Sequence, residues 1–182
     1  MHTFHSQQWL PVPTELVFVF FANPANLPRL MPTWQQARIE EASIVSPPPL
    51  LKPSSLNNVF SVLAAGAGTR LTLSFRPIPF SFIRLRWVAE IDSFLWNHHF
   101  SDTQLRGPFA HWHHTHTLTP ETRSDESGKP IPGTLVQDEV QYRLPLGKLG
   151  NLANALVARQ LHRTFGYRHR RTRELLAVNS PA

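Results

Sequence analysis

Residues 135–177 read LVQDEVQYRLPLGKLGNLANALVARQLHRTFGYRHRRTRELLA, and within them the hydrophobic period changes once. Up to Leu144 the period is two. Val136, Val140 and Leu144 share a face with Asp138 and Tyr142, while Gln137, Glu139, Gln141 and Arg143 take the other. That is a strand with one face in a core. After Pro145 and Gly147, the residues Leu149, Leu152, Ala153, Leu156, Val157, Leu161 and Phe165 fall on one helical stripe. The spacing predicts a helix from about Leu149 to about Ala177, on the order of 40 Å long and able to cross a whole sheet.

Upstream, the alternation of apolar and polar residues recurs in short runs. His2–Leu10 reads as a strand stopped by Pro11 and Pro13, and Thr14 as the N-cap of a helix over Glu15–Ala22 that is apolar nearly all round. Asn23-Pro24 then opens a second short helix to Leu30. Strands are expected over Trp34–Ile44, Leu71–Phe75 and Arg84–Ile91, and a hairpin over Phe100–Arg106 and Ala110–Thr119. Two segments read as loops. Residues 46–58 hold Pro47, Pro48, Pro49 and Pro53, which forbid a regular helix or central strand, and are expected to run irregularly near a pocket mouth. Residues 121–133 are polar and are expected to be mobile.

Strands grouped together and helices segregated to the ends point to an α+β fold, a single domain over residues 1–182. Hydrophobic residues at 41%, with 5 Trp and 12 Phe, exclude a disordered chain. The formal charge of +6 leaves open an anionic partner. No Cys means no thiol nucleophile and no thiolate metal site. No apolar run is long enough to span a bilayer, and the first ten residues carry no signal-like core, so a cytoplasmic protein is expected.

Chemistry-bearing residues sit on faces that periodicity marks as interior. Asp138 shares its face with Val136 and Val140, where a carboxylate is costly unless paired or hydrogen-bonded. It is either a structural acceptor or a pocket acid. In the hairpin, Trp112, His114, His116 and Leu118 alternate with His111, His113, Thr115 and Thr117. A turn centred on Pro108, expected because it puts Phe100 inside, sets Asp102 opposite His114, Gln104 opposite Trp112 and Phe100 opposite His116, whereas a turn of even length would split those pairs between faces. A His114–Asp102 pair is either a core hydrogen-bond ladder or a general base with its orienting acid, and Asp138 or Tyr142 would then donate a proton. Two strand histidines without a motif-level third ligand are a poor metal signal, so neither metal nor cofactor is expected. Arg159, Arg163, Arg168, Arg170, Arg171 and Arg173 read as a solvated helix face, or else as a basic interaction surface; no nucleic-acid motif frames them.

The segments QWLPVPTELVFVFFANPANLPRL, FSDTQLRGPFAHWHHTHTL and GTLVQDEVQYRLPLGKLGNLANALVARQLHRTFGYR, in this order, resemble the SRPBCC superfamily. That is the helix-grip fold of START lipid-transfer domains, birch-pollen-type allergens and polyketide aromatase/cyclases. The likeness is to its bacterial ligand-binding or cyclase/dehydrase-like branch. The resemblance implies a curved antiparallel sheet wrapped around the C-terminal helix, with two short helices after the first strand and a cavity between. It does not imply a reaction. The expected ligand is a hydrophobic small molecule: a lipid, isoprenoid or polyketide-like compound. Leu73, Phe75, Trp87, Ile91, Trp112, Val140, Leu156, Leu161 and Phe165 would line the cavity, with Gln104, His114, His116, Asp138 and Tyr142 as its polar groups. The alternative is a cyclase or dehydratase that uses His114 with Asp102, Asp138 or Tyr142.

Overall fold

The computed structural model describes residues 1–50, 63–145 and 153–177. The chain runs β1 (His2–Leu10), α1 (Thr14–Ala22), two 3-10 turns (Pro24–Leu30 and Thr33–Gln35), then β2 (Arg38–Ser43), β3 (Arg70–Phe75) and β4 (Leu85–Leu95). It continues through β5 (His99–Arg106), β6 (His111–Ser124) and β7 (Pro130–Arg143) to α2 (Asn154–Ala177). The strands form one curved antiparallel sheet in the order β1-β7-β6-β5-β4-β3-β2, so the first strand closes against the last. The fold is the helix-grip architecture. The first turns of the expected C-terminal helix, residues 149–152, lie outside the described residues.

Local chemistry explains the element boundaries. Asn23 accepts from the Ala25 amide at 3.0 Å and caps the 3-10 turn that Pro24 opens, an interaction worth about 1 kcal/mol. Thr14 is not the expected cap. The helix begins one residue earlier, behind Pro13, and the Thr14 hydroxyl instead meets that of Thr134 at 3.1 Å in the core. Gly133 is needed where β1 crosses β7, since a Cβ there would come within 2.4 Å of the Leu10 carbonyl oxygen.

The expected loop over residues 121–133 is instead a continuation of β6 and β7, closed by a turn at Asp125–Lys129. Asp125 accepts from the amides of Ser127 and Lys129, both at 2.9 Å, and Gly128 takes φ 83°. Polarity alone does not exclude strand pairing where both faces meet solvent, and Pro130 and Pro132 are tolerated at this edge. Among the described residues, β7 has no neighbour on its other side beyond the Leu10–Thr134 pair, and there a proline costs no ladder bond. In the proline-rich segment, Pro47 is buried and the Pro48 carbonyl accepts from Trp96 Nε1 at 2.6 Å. Residues 51–58 lie outside the described residues.

The interior divides into two hydrophobic groups. One gathers α1 (Val17, Phe18, Phe20) with Leu10, Phe100, Leu118, Val136 and Leu176. The other gathers Phe4, Trp112, Val140, Tyr142, Leu161 and Phe165, with Trp87, Phe109 and Val157 partly buried at its margin. The helix α2 reaches both. It is tied to β1 where Gln8 Nε2 donates to the His169 carbonyl at 2.8 Å, and to β7 where the Tyr142 hydroxyl donates to Asn154 Oδ1 at 2.8 Å.

Candidate functional site

Between the two hydrophobic groups lies a cluster of ionisable side chains. The β5–β6 register sets Asp102 opposite His114 and Phe100 opposite His116. The β6–β7 register sets His114 opposite Val140 and His116 opposite Asp138. Alternation then turns Asp102, His114, His116 and Asp138 to the inner face together. Asp138 Oδ1 lies 3.1 Å from His114 Nε2 and 2.6 Å from His116 Nδ1, the latter off the line of a good hydrogen bond. Asp102 Oδ1 stands 3.7 Å from His114 Nδ1. Asp102 is the accessible end of the cluster, with a quarter of its side chain exposed; His114, His116 and Asp138 are sealed.

The fifth member comes from α2. Arg168 Nη2 donates to His116 Nε2 at 3.3 Å, and the guanidinium lies over the rings of Phe21 and Phe165 at 5.3 and 5.8 Å. Reading Arg168 as part of a solvated face was wrong. It continues the buried series Leu161, Phe165, Thr172 and Leu176, at i+3 from Phe165 and i−4 from Thr172. That spacing was the signal available. Arg159, Arg163, Arg170 and Arg173 are exposed, and Arg170 and Arg171 both pair with Glu174.

The charges tune one another. Burial, then the charges of His114 and Arg168, push His116 down to about 3 against the pull of Asp138. Burial alone would raise Asp138, but its pairing with His116, the hydrogen bond from His114 and the Arg168 charge hold it well below the usual carboxylate range. Asp102 is raised, by burial of its carboxyl. The result is an anion at Asp138, a neutral His116 and, at the accessible end, a carboxyl that binds its proton more tightly than usual. Ligand atoms of Asp102, His114 and His116 lie within 4.8 Å of one another, close enough to share a cation. The Arg168 guanidinium already fills that electrostatic role and opposes a second positive charge.

Other expected site residues are placed less uniformly. Phe75, Trp87 and Trp112 form an aromatic row, with ring centroids 6.1 Å apart across the first pair and 5.0 Å across the second. Trp112 lies 6.3 Å from the His114 ring, and Phe165 5.6 Å from its other side. Leu73, Ile91, Val140 and Leu161 are buried. Leu156 is not in the lining: it is 71% exposed, because five residues separate it from Leu161 and rotate it off the buried stripe. Gln104 is spent within its hairpin, donating to the Phe109 carbonyl at 2.8 Å and accepting from the Phe109 amide. Tyr142 is similarly occupied by Asn154, away from the histidines. An open cleft of about 490 Å³ is lined by His5, Ser6, Gln7, Thr117, Gln137, Asp138 and Glu139, so that Asp138 borders it as well.

A curved antiparallel sheet gripping a long helix, with an aromatic row beside a buried acid–histidine cluster, is the helix-grip arrangement. Residues 10–169 match the family model described as polyketide cyclase / dehydrase and lipid transport, and the chain belongs to that family. Among solved structures, it is similar to TTHA0849 from Thermus thermophilus, with 16% identity, TM-score 0.61, and coverage of 98% of this chain and 100% of that one. It is also similar to a START superfamily protein from Mycobacterium smegmatis, at 12% identity, TM-score 0.57, and coverage of 96% and 99%. The third is Ara h 8.0201, at 15% identity, TM-score 0.51, and coverage of 94% and 97%. At these identities the likeness shows the fold. No curated protein matches the chain. Among the described residues, no helix is long and apolar enough to cross a membrane.

Proposed function

We propose that this protein binds a hydrophobic small molecule, of the lipid, isoprenoid or aromatic polyketide class, between the sheet and α2. The observation that carries this reading is the graded inner face from Phe75 and Trp87, both partly exposed, through Trp112 to His114 and Asp102. An apolar wall that ends in a few fixed polar groups is what small-molecule recognition requires. Stability alone gives little reason for the cluster, since a buried ionic group is often no better than a well-packed apolar replacement. The ligand's hydroxyl or carbonyl would sit at the 3.7 Å gap between Asp102 and His114.

A second reading, acid–base catalysis of a dehydration or cyclisation, is favoured by one detail. With Asp138 accepting from His114 Nε2, a neutral ring would direct its Nδ1 lone pair toward Asp102. His114 would take a proton from the substrate, and Asp102 would give one to a hydroxyl leaving as water. Transfer from His114 to Asp102 would restore both groups. Native mass spectrometry of freshly purified protein tests the binding reading. A co-purifying apolar compound, released on denaturation, is the expected result. A chain that carries nothing, and whose unfolding temperature no apolar compound shifts, would remove the proposal.

A further inference from the structure

The connection between β3 and β4 presents four large apolar side chains to solvent: Ile78, Phe80, Phe82 and Ile83. Phe80 is 92% exposed and Phe82 98%. Phe80 also holds φ 62°, a backbone region that bulky side chains avoid. The loop is nonetheless fixed. The Ser81 hydroxyl accepts from the Ile83 amide at 3.1 Å, and at its base Arg84 donates to the carbonyls of Gln36 and Ser74. A structured loop that strains its backbone to hold rings in water is organised for a surface the free chain lacks.

Register shows what surrounds it. The pairs Val88–Arg106 and His111–Arg143, with the Tyr142–Asn154 bond, bring the β5–β6 turn and the start of α2 to this same end. Leu105 and Leu156 are exposed there too. So are Arg38, Arg86, Arg106, Arg143 and Arg159. The described carboxylates at this end are Glu40, bonded to Ser74, and Glu41, paired with Arg86. Glu121, Asp125 and Glu126 belong to the opposite end.

We infer that this end of the protein docks on an anionic lipid surface, with the 78–83 loop entering the headgroup layer and the arginines against its phosphates. Apolar side chains bury favourably at the headgroup boundary, and basic residues near it are drawn to anionic lipid. A second copy of the chain is a poorer occupant, since pairing would set two arginine collars face to face. The inference stands independently of what the cavity holds.

The test is co-sedimentation of the full chain with phosphatidylcholine vesicles, with and without phosphatidylserine, at low and high salt. The chain should partition onto the anionic vesicles and leave them as salt rises. The double variant Phe80→Ser, Phe82→Ser should lose roughly tenfold or more of that partitioning, with an unchanged unfolding temperature, because neither ring packs on the core. Arg106→Glu should weaken binding to anionic vesicles alone. The inference is overturned if the parent chain ignores anionic vesicles, or if the double variant binds them as well as the parent. It is equally overturned if sedimentation velocity shows a dimer that the double variant abolishes while neither protein binds vesicles.

Discussion

Arg168 and His116 meet nitrogen to nitrogen, 3.3 Å apart. A guanidinium has only donors, so His116 Nε2 must present its lone pair, and the ring proton must reside on Nδ1, facing Asp138. The contact therefore fixes a tautomer as well as a position. It also extends the positive charge of Arg168 through a neutral ring to a carboxylate on β7.

From this follows the cost of removing the cation. Arg168→Met keeps the volume of the stem and its packing between Phe21 and Phe165 but leaves Asp138 buried without its counter-charge. We expect a loss of about 3 kcal/mol in chemical denaturation. Adding Asp138→Asn should recover part of it. A double variant no more stable than Arg168→Met would show that the two groups are not coupled.

The pH dependence has a definite sign. The folded value of His116, about 3, lies below its ordinary 6.5. Between those values the unfolded chain binds a proton that the folded chain refuses, so stability falls as pH drops through that window. Asp138, held low, adds loss in the same direction at the acid end. Asp102, raised by burial, acts oppositely within the carboxylate range. The net expectation is a fall on the order of 2–4 kcal/mol between neutral pH and pH 4. His116→Gln should flatten the upper part of the curve, and an unchanged slope would count against the assignment.

Asp102 and His114 separate ligand use from structural use. Asp102 is partly exposed and only loosely engaged, so Asp102→Asn should change stability by less than about 1 kcal/mol. Ligand affinity, by titration calorimetry with the co-purifying compound, should drop roughly tenfold for the loss of one charged or donating partner. His114→Ala should lower affinity further. A stability loss of several kcal/mol in Asp102→Asn with affinity intact would mark the pair as structural.

Gly166 offers a gain. A Cβ built at this position in α2 meets nothing within 4 Å, so no close approach explains the glycine. Gly166→Ala should raise stability by about 0.5–1 kcal/mol, read as a higher denaturation midpoint with an unchanged slope.

Much of this fold was legible because periodicity reports directly on which face is buried. The inward set Asp102, His114, His116 and Asp138 follows from alternation on three strands plus an odd turn centred on Pro108. Arg168 was not legible by residue type, since arginines late in a helix ordinarily meet solvent and the helix dipole. Its place on the Leu161–Leu176 stripe outweighs that tendency because Asp138 and Asp102 supply the opposing charge. Gln104 and Tyr142 face inward as alternation requires. Parity cannot reveal that Phe109 and Asn154 already occupy their polar atoms. Phe80 and Phe82 lie between β3 and β4, outside any strand or helix, so periodicity says nothing of their exposure.

The ionic cluster also sets how the molecule can come apart. It lies along the boundary between two oily compartments, and protonation would dismantle the boundary before either compartment dissolves. Acid should therefore loosen the join while each half keeps its own packing, giving an expanded, dye-binding state rather than one sharp collapse. What resists this is α2, whose Phe165 belongs to one compartment and Leu176 to the other. The helix is a splint across the weakest line in the protein, and Arg168 is set into it directly over the fracture.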